Sequence, residues 1–289
     1  APAPDQPDPA HPPGVGIHLC TQVHGISNKA RFLPLYITVD LIEGKTQVHC
    51  DAFSKRTVSY REACLEMARL FWNSDLEQRC VAASRTPAKQ KLIELKNRYD
   101  TPENGVLVLV QSDGDTRVVW GGISDKEIGG YDRAETYYPT QVNVGTPQSP
   151  YLLSLADSGV RIVRIRSNQE VPDYFTELSA KASDENLQRS SASGIFKYED
   201  VYWGIHTKPN DMRYTHSLKE SKIDYPKHFF AEKDMIELYP LQLQPGDDAA
   251  SWIFYTNALR DLPIQYNQST VLPLPLHLAK GLEEYLFKA

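Results

Sequence analysis

Apolar and polar positions alternate with two different periods along this chain, and the changes of period mark out its elements. Phe32 to Val39 (FLPLYITV) is an almost unbroken apolar run closed by Asp40, and it predicts a buried strand. Glu43-Gly44-Lys45 supplies a turn, and Thr46 to Phe53 predicts the strand that returns. The period then lengthens. Ser59-Tyr60-Arg61-Glu62 has the Ser-x-x-Glu spacing of a capping box, and Ala63, Leu65, Met67, Ala68, Leu70 and Phe71 supply an apolar face for the helix behind it. A second helix is predicted over Pro87 to Tyr99. Val106 to Val110 (VLVLV) is short and unbroken, as a central strand buried on both faces should be. Val160 to Ile165 and Tyr198 to Ile205 predict two further strands. A hairpin, then helices alternating with buried strands, predicts an α/β domain with a mixed sheet flanked by helices. Residues 1–14 (APAPDQPDPAHPPG) are Pro-rich and aperiodic, so they predict a linker or disordered extension, which leaves 15–289 as one domain.

The last stretch, Ser251 to Ala289, joins an apolar segment ending in Leu259-Arg260 to the Pro-spaced Leu272-Pro-Leu-Pro-Leu276 and a short amphipathic helix. Pro273 and Pro275 cannot sit inside a regular helix or a central strand. The chain is therefore expected to enter its final helix from an extended approach of fixed geometry.

Composition narrows the function more than the fold. At 289 residues there is room for a substantial core, and no apolar run approaches the roughly 18–20 residues of a membrane span. The first residues lack the basic-then-apolar order of a secretory signal, so neither membrane insertion nor secretion is expected. Cys20, Cys50, Cys64 and Cys80 form no CxxC pair, which argues against a zinc ribbon or a disulfide framework and for a reducing cytoplasm. The formal net charge of −6 excludes a general nucleic-acid coat protein but leaves room for a basic groove on an acidic body. Basic residues do gather locally. Arg79, Arg85, Lys89, Lys91, Lys96 and Arg98 are opposed across that stretch by Glu94 alone. The chain has no GxxxxGK[ST] and no GxGxxG after a strand, which speaks against a nucleotide-binding enzyme, and no GxSxG to support a serine hydrolase.

Cleavage of a phosphodiester by two magnesium ions needs several carboxylates that converge on ions about 4 Å apart. Asp40 ends the first predicted strand, Asp113 follows the central one in VLVLVQSDG, and Glu62 opens the intervening helix. Each also has a local role available: Asp40 and Asp113-Gly114 as turn residues, Glu62 as a cap. Cationic and aromatic residues able to hold a strand follow. Arg117 and Trp120 come soon after Asp113, while Arg164 and Arg166 share one face of a predicted strand and Arg161 the other. Trp120 and Trp203 can stack on bases or fill the core. Arg260 precedes the Pro-spaced segment and can meet a strand phosphate or pair with Asp261 or Asp248.

In order and context, Asp40, Glu62 and Asp113-Gly114 resemble the first three positions of the nuclease centre of Argonaute and PIWI domains, and PLPLHLAK resembles their Pro-x-Pro entry to a terminal helix. The fourth position departs: Lys280 stands where the last metal ligand would be, with His277 a helical turn earlier, and an ammonium cannot ligate magnesium. DGDTRVVW, VRIVRIR, SGIFKYEDVYWGIHTKP and NALRDLP followed by PLPLHLAKGLEEYL resemble most closely the prokaryotic PIWI-RE family, named for an Arg and a Glu. That resemblance implies an RNase H-like PIWI fold and guide-dependent binding of nucleic acid in bacterial defence or genome maintenance, beside helicase and nuclease partners. It implies Mg2+ or Mn2+ at Asp40 and Asp113 if cleavage occurs, and strand contacts at Arg117, Arg164, Arg260, Lys280 and Glu284. Arg260 and Glu284 are the preferred eponymous pair, with Arg117 the second choice for the Arg. The domain binding the guide's 5′ end would lie mostly upstream of Ala1. Three functions follow: a strand-holding domain that cuts poorly or not at all, an active metal-dependent nuclease, and a scaffold for a protein partner.

Overall fold

The computed structural model describes residues 14–22, 31–72, 85–102, 105–113, 120–123, 141–145, 149–167, 171, 174–180, 187–189, 194–205, 229–233, 235–262 and 270–287. The chain opens with β1 (Gly14–Gln22), β2 (Arg31–Asp40), β3 (Lys45–His49) and β4 (Thr57–Ser59), followed by helices α1 (Tyr60–Trp72) and α2 (Arg85–Arg98). Next come β5 (Val106–Gln111), a single 3-10 turn at Gly121–Ile123, β6 (Gln141–Asn143), β7 (Leu152–Ser154) and β8 (Val160–Arg166). The remainder holds β9 (Tyr174–Ala180), β10 (Leu187–Arg189), β11 (Gly194–Tyr198), β12 (Val201–Ile205), β13 (Phe229–Lys233), β14 (Met235–Gln242), α3 (Ala249–Ala258) and α4 (Leu274–Phe287). These elements form two compact units. The first takes in the chain up to Arg164, Pro240–Ala249 and Pro275–Ala289, and the second takes in Ile165–Tyr239 and Ala250–Leu274. Of the expected linker, residues 1–13 lie outside the described residues, and Gly14 already opens β1.

In the first unit the strands run in the order β8-β5-β1-β2-β3-β4. β1 pairs antiparallel with β2 and parallel with β5, and β2, β3 and β4 continue antiparallel. Val106 to Val110 are all 0% exposed, which is why a run with no polar position is tolerated there. Asp40 ends β2 by accepting the Ile42 and Glu43 amides on Oδ1 at 3.0 and 2.9 Å, and Gly44 adopts φ 62°, so the chain reverses into β3. β3 stops at His49, short of the expected Phe53, because Asp51 to Arg56 turn the chain into β4.

The capping box of α1 forms as expected. Glu62 Oε2 accepts the Ser59 amide at 3.0 Å, and Ser59 Oγ accepts the Glu62 amide at 3.3 Å. Ala63, Met67 and Leu70, at helical spacing, are buried, whereas Leu65 is 67% exposed and does not join that face. α1 packs on β3 and β4. Across it lies α4, where Tyr60 Oη donates to the Leu278 carbonyl at 3.1 Å and Gly281 leaves room for the phenol. α4 starts at Leu274, so Pro275 occupies its first turn, where a missing N–H costs nothing, and only Pro273 belongs to the extended approach. α2 buries Ala88, Leu92 and Leu95. A largely buried polar lock joins β8 to the 244–247 turn. Arg161 donates from Nε and Nη2 to Asp247 at 2.7 and 2.9 Å, and Gln244 Nε2 donates to the Leu155 and Val160 carbonyls.

The second unit contains β11-β12-β14 and a separate three-stranded sheet in the order β10-β9-β13. Tyr198 to Ile205 is a hairpin rather than the single strand expected. Glu199, at φ 52°, and Asp200 form its turn, and Phe196 pairs with Trp203 across it. β12 lies against α3 so closely that a Cβ on Gly204 would stand 2.5 Å from Asn257 Oδ1. No helix among the described residues is long and apolar enough to cross a membrane.

Candidate functional site

The sheet order decides which carboxylates can meet. β1 lies between β2 and β5, antiparallel to one and parallel to the other. Val39 stands opposite Gly14, which puts Asp40 level with the position before Gly14. Val110 stands opposite Ile17, which puts Asp113, three residues on, level with Cys20. From position 13 to position 20 is seven residues along the strand direction. At about 3.3 Å per residue that is about 23 Å, with two strand spacings of about 4.8 Å to cross as well. Asp40 and Asp113 therefore lie at opposite ends of the sheet and cannot share an ion, which corrects the expectation that neighbouring strands would bring them together.

Each of the three carboxylates has a local partner. Asp40 Oδ1 holds the β2–β3 turn. Half-buried Asp113 accepts Gln111 Nε2 on Oδ2 at 3.0 Å. Glu62 belongs to the first turn of α1, after the outermost strand of this sheet run, β4. The Ser59 amide first, and its hydroxyl second, hold the Glu62 carboxyl below the usual glutamate range. The strands on either side of β5 are β1 (GVGIHLCTQ) and β8 (VRIVRIR), and neither sequence contains Asp or Glu. Among the described residues no three His, Cys, Asp or Glu come together as a set that could hold a metal ion. The Mg2+ or Mn2+ site implied by the resemblance does not fit the described donors.

The expected strand contacts have diverse surroundings. Arg117 lies outside the described residues. Arg164 is 3% exposed, and its Nη1 donates to the Ile123 carbonyl at 3.1 Å. Arg166 lies 3.5 Å from Glu237. Arg260 is buried in the second unit, where Nε donates to the Thr270 carbonyl at 2.9 Å, and Nη1 to the Gly204 carbonyl at 3.3 Å and Asn257 Oδ1 at 3.2 Å. These bonds tie β12, the end of α3 and the approach to α4 together, which a fork of fixed geometry does better than an ammonium. Lys280 and Glu284 are exposed on α4, one turn apart. His277, a turn before Lys280, is half-buried. Burial lowers its pKa, with Lys280 adding to the effect and Glu284 opposing it. Trp120 is fully buried and its Nε1 has no hydrogen-bond partner among the described residues, whereas Trp203 is half-buried on the hairpin.

Sequence reasoning missed β1 altogether, and with it the register that separates the carboxylates. It also missed the Arg161–Asp247 lock, for which the sequence holds no short-range signal, since the partners are 86 residues apart.

A mixed sheet built on a parallel β1–β5 pair, with an antiparallel run beyond it and helices on its faces, is an RNase H-like α/β fold. The sequence family described as the RNaseH domain of pPIWI_RE matches residues 14–288, and the chain belongs to that family. Among solved structures the chain is similar to the Argonaute of Marinitoga piezophila in complex with a 5′ OH guide RNA, at 10% identity and a TM-score of 0.43, over 97% of this chain and 31% of that one. The same Argonaute with guide RNA and target DNA matches at 13% identity and a TM-score of 0.41, over 96% and 30%. The C-terminal lobe of a budding yeast Argonaute matches at 10% identity and a TM-score of 0.37, over 95% and 46%. The chain thus spans about a third of the length of the Marinitoga Argonaute chains. No curated protein sequence matches it.

Proposed function

We propose that residues 15–289 act as the RNase H-like part of a guide-dependent PIWI-type protein that holds guide and target strands without cutting them. The reading places the protein in the bacterial cytoplasm, in defence or genome maintenance, with helicase and nuclease partners supplying the chemistry this domain lacks. Membership of the PIWI-RE family supports the strand-holding half of the reading. The observation that supports the other half is the sheet register, which sends Asp40 and Asp113 to opposite ends of the sheet, while the two strands beside β5 carry no Asp or Glu in their sequences. Lys280, exposed on α4 where the fourth ligand was expected, supports it too, because an ammonium can meet a phosphate but cannot activate a metal-bound water.

The second reading, an active magnesium- or manganese-dependent nuclease, is favoured by one feature: Asp113 follows the central strand and is half-buried. Incubation of the protein with a guide, a matched target and manganese separates the readings. Binding at low salt without cleavage is expected. Target cleavage that disappears in Asp113→Ala would establish the nuclease instead, and no strand binding at low salt would leave only the protein scaffold.

A further inference from the structure

Of the basic stretch noted in the sequence, Arg79 lies outside the described residues, and Arg85 to Arg98 form α2, which sorts its described cations. Lys91 and Arg98 are seven residues apart, as are Lys89 and Lys96. Seven residues return a helix to within about 20° of the same direction and advance it about 10.5 Å, so each pair forms a rail along one flank. The buried stripe of Ala88, Leu92 and Leu95 runs between the two rails.

The rails differ in what they meet. Lys91 is neutralised by Glu94, Nζ to Oε1 at 3.0 Å, and Arg98 lies over the Tyr99 ring at 5.5 Å. Neither Lys89 nor Lys96 has a carboxylate partner among the described residues. Lys89 instead places its ammonium 3.2 Å from the centre of the Tyr151 ring. Tyr151 is 45% exposed, and Leu152 beside it, at the start of β7, is 60% exposed. In a chain of net charge −6, a pair of lysines that no described carboxylate neutralises, beside an exposed ring and an exposed leucine, is a local departure from the body.

We propose that this flank of α2, with Lys89, Lys96 and Tyr151, is a docking surface for single-stranded nucleic acid. The lysines meet successive stretches of the phosphate backbone, and the open part of the Tyr151 ring stacks on an unpaired base. Phosphate contact by cations and base stacking on aromatic rings are the two terms by which proteins hold single strands without reading sequence. Nucleic acid is favoured over an acidic protein segment because a phosphate backbone matches the repeating charge of the rail while a base matches the ring. The inference rests on the strand-holding function proposed above and adds the surface that performs it.

The test measures affinity of the protein for a labelled mixed-sequence single strand as salt is varied. The Lys89→Gln/Lys96→Gln variant should bind more weakly at every salt concentration, and its log–log salt slope should be shallower by about 1.4, two contacts at about 0.7 each. Tyr151→Leu should weaken binding about five- to 150-fold with little change of slope, since a stacking contact releases no counterion. Lys45→Gln, an exposed lysine of the same unit that pairs with Glu43, is the control and should leave the slope as it is. Matching far-ultraviolet circular dichroism and thermal midpoints would show that the variants remain folded. Wild-type binding whose slope is unmoved by the double substitution would overturn this surface while leaving the strand-holding function intact. That is also the result if the flank serves an acidic protein. Wild-type protein that binds no strand at low salt would overturn both.

Discussion

At the scale of single residues, Arg260 shows how a cation read from sequence as a phosphate contact can be needed inside the fold. With 1% of its surface exposed, its guanidinium donates to two backbone carbonyls and the Asn257 amide oxygen. The Thr270 amide donates back to the Arg260 carbonyl at 2.8 Å, so the contact is made from both directions, while the Thr270 hydroxyl donates to the Leu272 carbonyl at 2.6 Å. A lysine there keeps the charge but cannot span three acceptors, and carbonyls left without a donor in a buried place cost about 1–3 kcal/mol each. Arg260→Lys is therefore expected to lower unfolding free energy by about 2–4 kcal/mol in urea, on the same grounds. Per folded molecule, strand affinity and its salt dependence should be unchanged. A variant with an unaltered urea midpoint and a shallower salt slope would return Arg260 to the proposed strand-holding surface. The same logic separates Arg161, which is committed to Asp247, from Lys89 and Lys96, whose ammonium groups have no carboxylate to neutralise them among the described residues.

At the scale of elements, the α1–α4 contact makes a prediction that depends on both partners. Gly281 interrupts α4, where alanine would favour the helix by about 1 kcal/mol, yet a Cβ there would stand 3.1 Å from Tyr60 Oη. Moving the phenol would strain its bond to the Leu278 carbonyl. Gly281→Ala is expected to be neutral or destabilising in the natural sequence and to stabilise by up to about 1 kcal/mol in a Tyr60→Phe background. A double-mutant cycle by urea unfolding measures the difference, and equal effects in the two backgrounds would show that the phenol is not the obstacle. Elements whose signals are local were legible in the sequence. β2 and β5 are nearly continuous apolar runs, β8 is rich in β-branched residues between its arginines, and α1 announces itself by a capping box. β1 was not legible because GVGIHLCTQ carries two glycines and three polar residues, and it becomes a strand by pairing on both sides rather than by propensity. The β11–β12 hairpin was read through as one strand because Glu199-Asp200 lacks the Gly or Asn that marks most two-residue turns. The candidate site inherited the first of these errors. Asp40 does end β2 and Asp113 does follow β5, as read, but the unseen strand between them sets which end each occupies.

At the scale of the whole molecule, the response to magnesium distinguishes an ion held by carboxylates from an ion that acts as a counterion. Were Asp40 and Asp113 part of one centre, a bound ion would bridge protein to phosphate and strengthen strand binding. Their placement about 23 Å apart along the sheet removes that bridge. On the proposed reading, an acidic chain, at net charge −6, would hold a strand through local cations against a repelling body, and magnesium would compete with those cations for the phosphates. At constant ionic strength, replacing monovalent salt by millimolar magnesium is expected to weaken strand binding or leave it unchanged. The Asp40→Asn/Asp113→Asn variant should show the same response as the natural sequence, because neither carboxylate is at an ion shared with the strand. Filter binding or fluorescence anisotropy over a magnesium series supplies the measurement. A wild-type affinity that rises with magnesium, and a variant in which the rise is lost, would mean that the two carboxylates do reach a common ion, and the register argument for a non-cutting domain would fail with it.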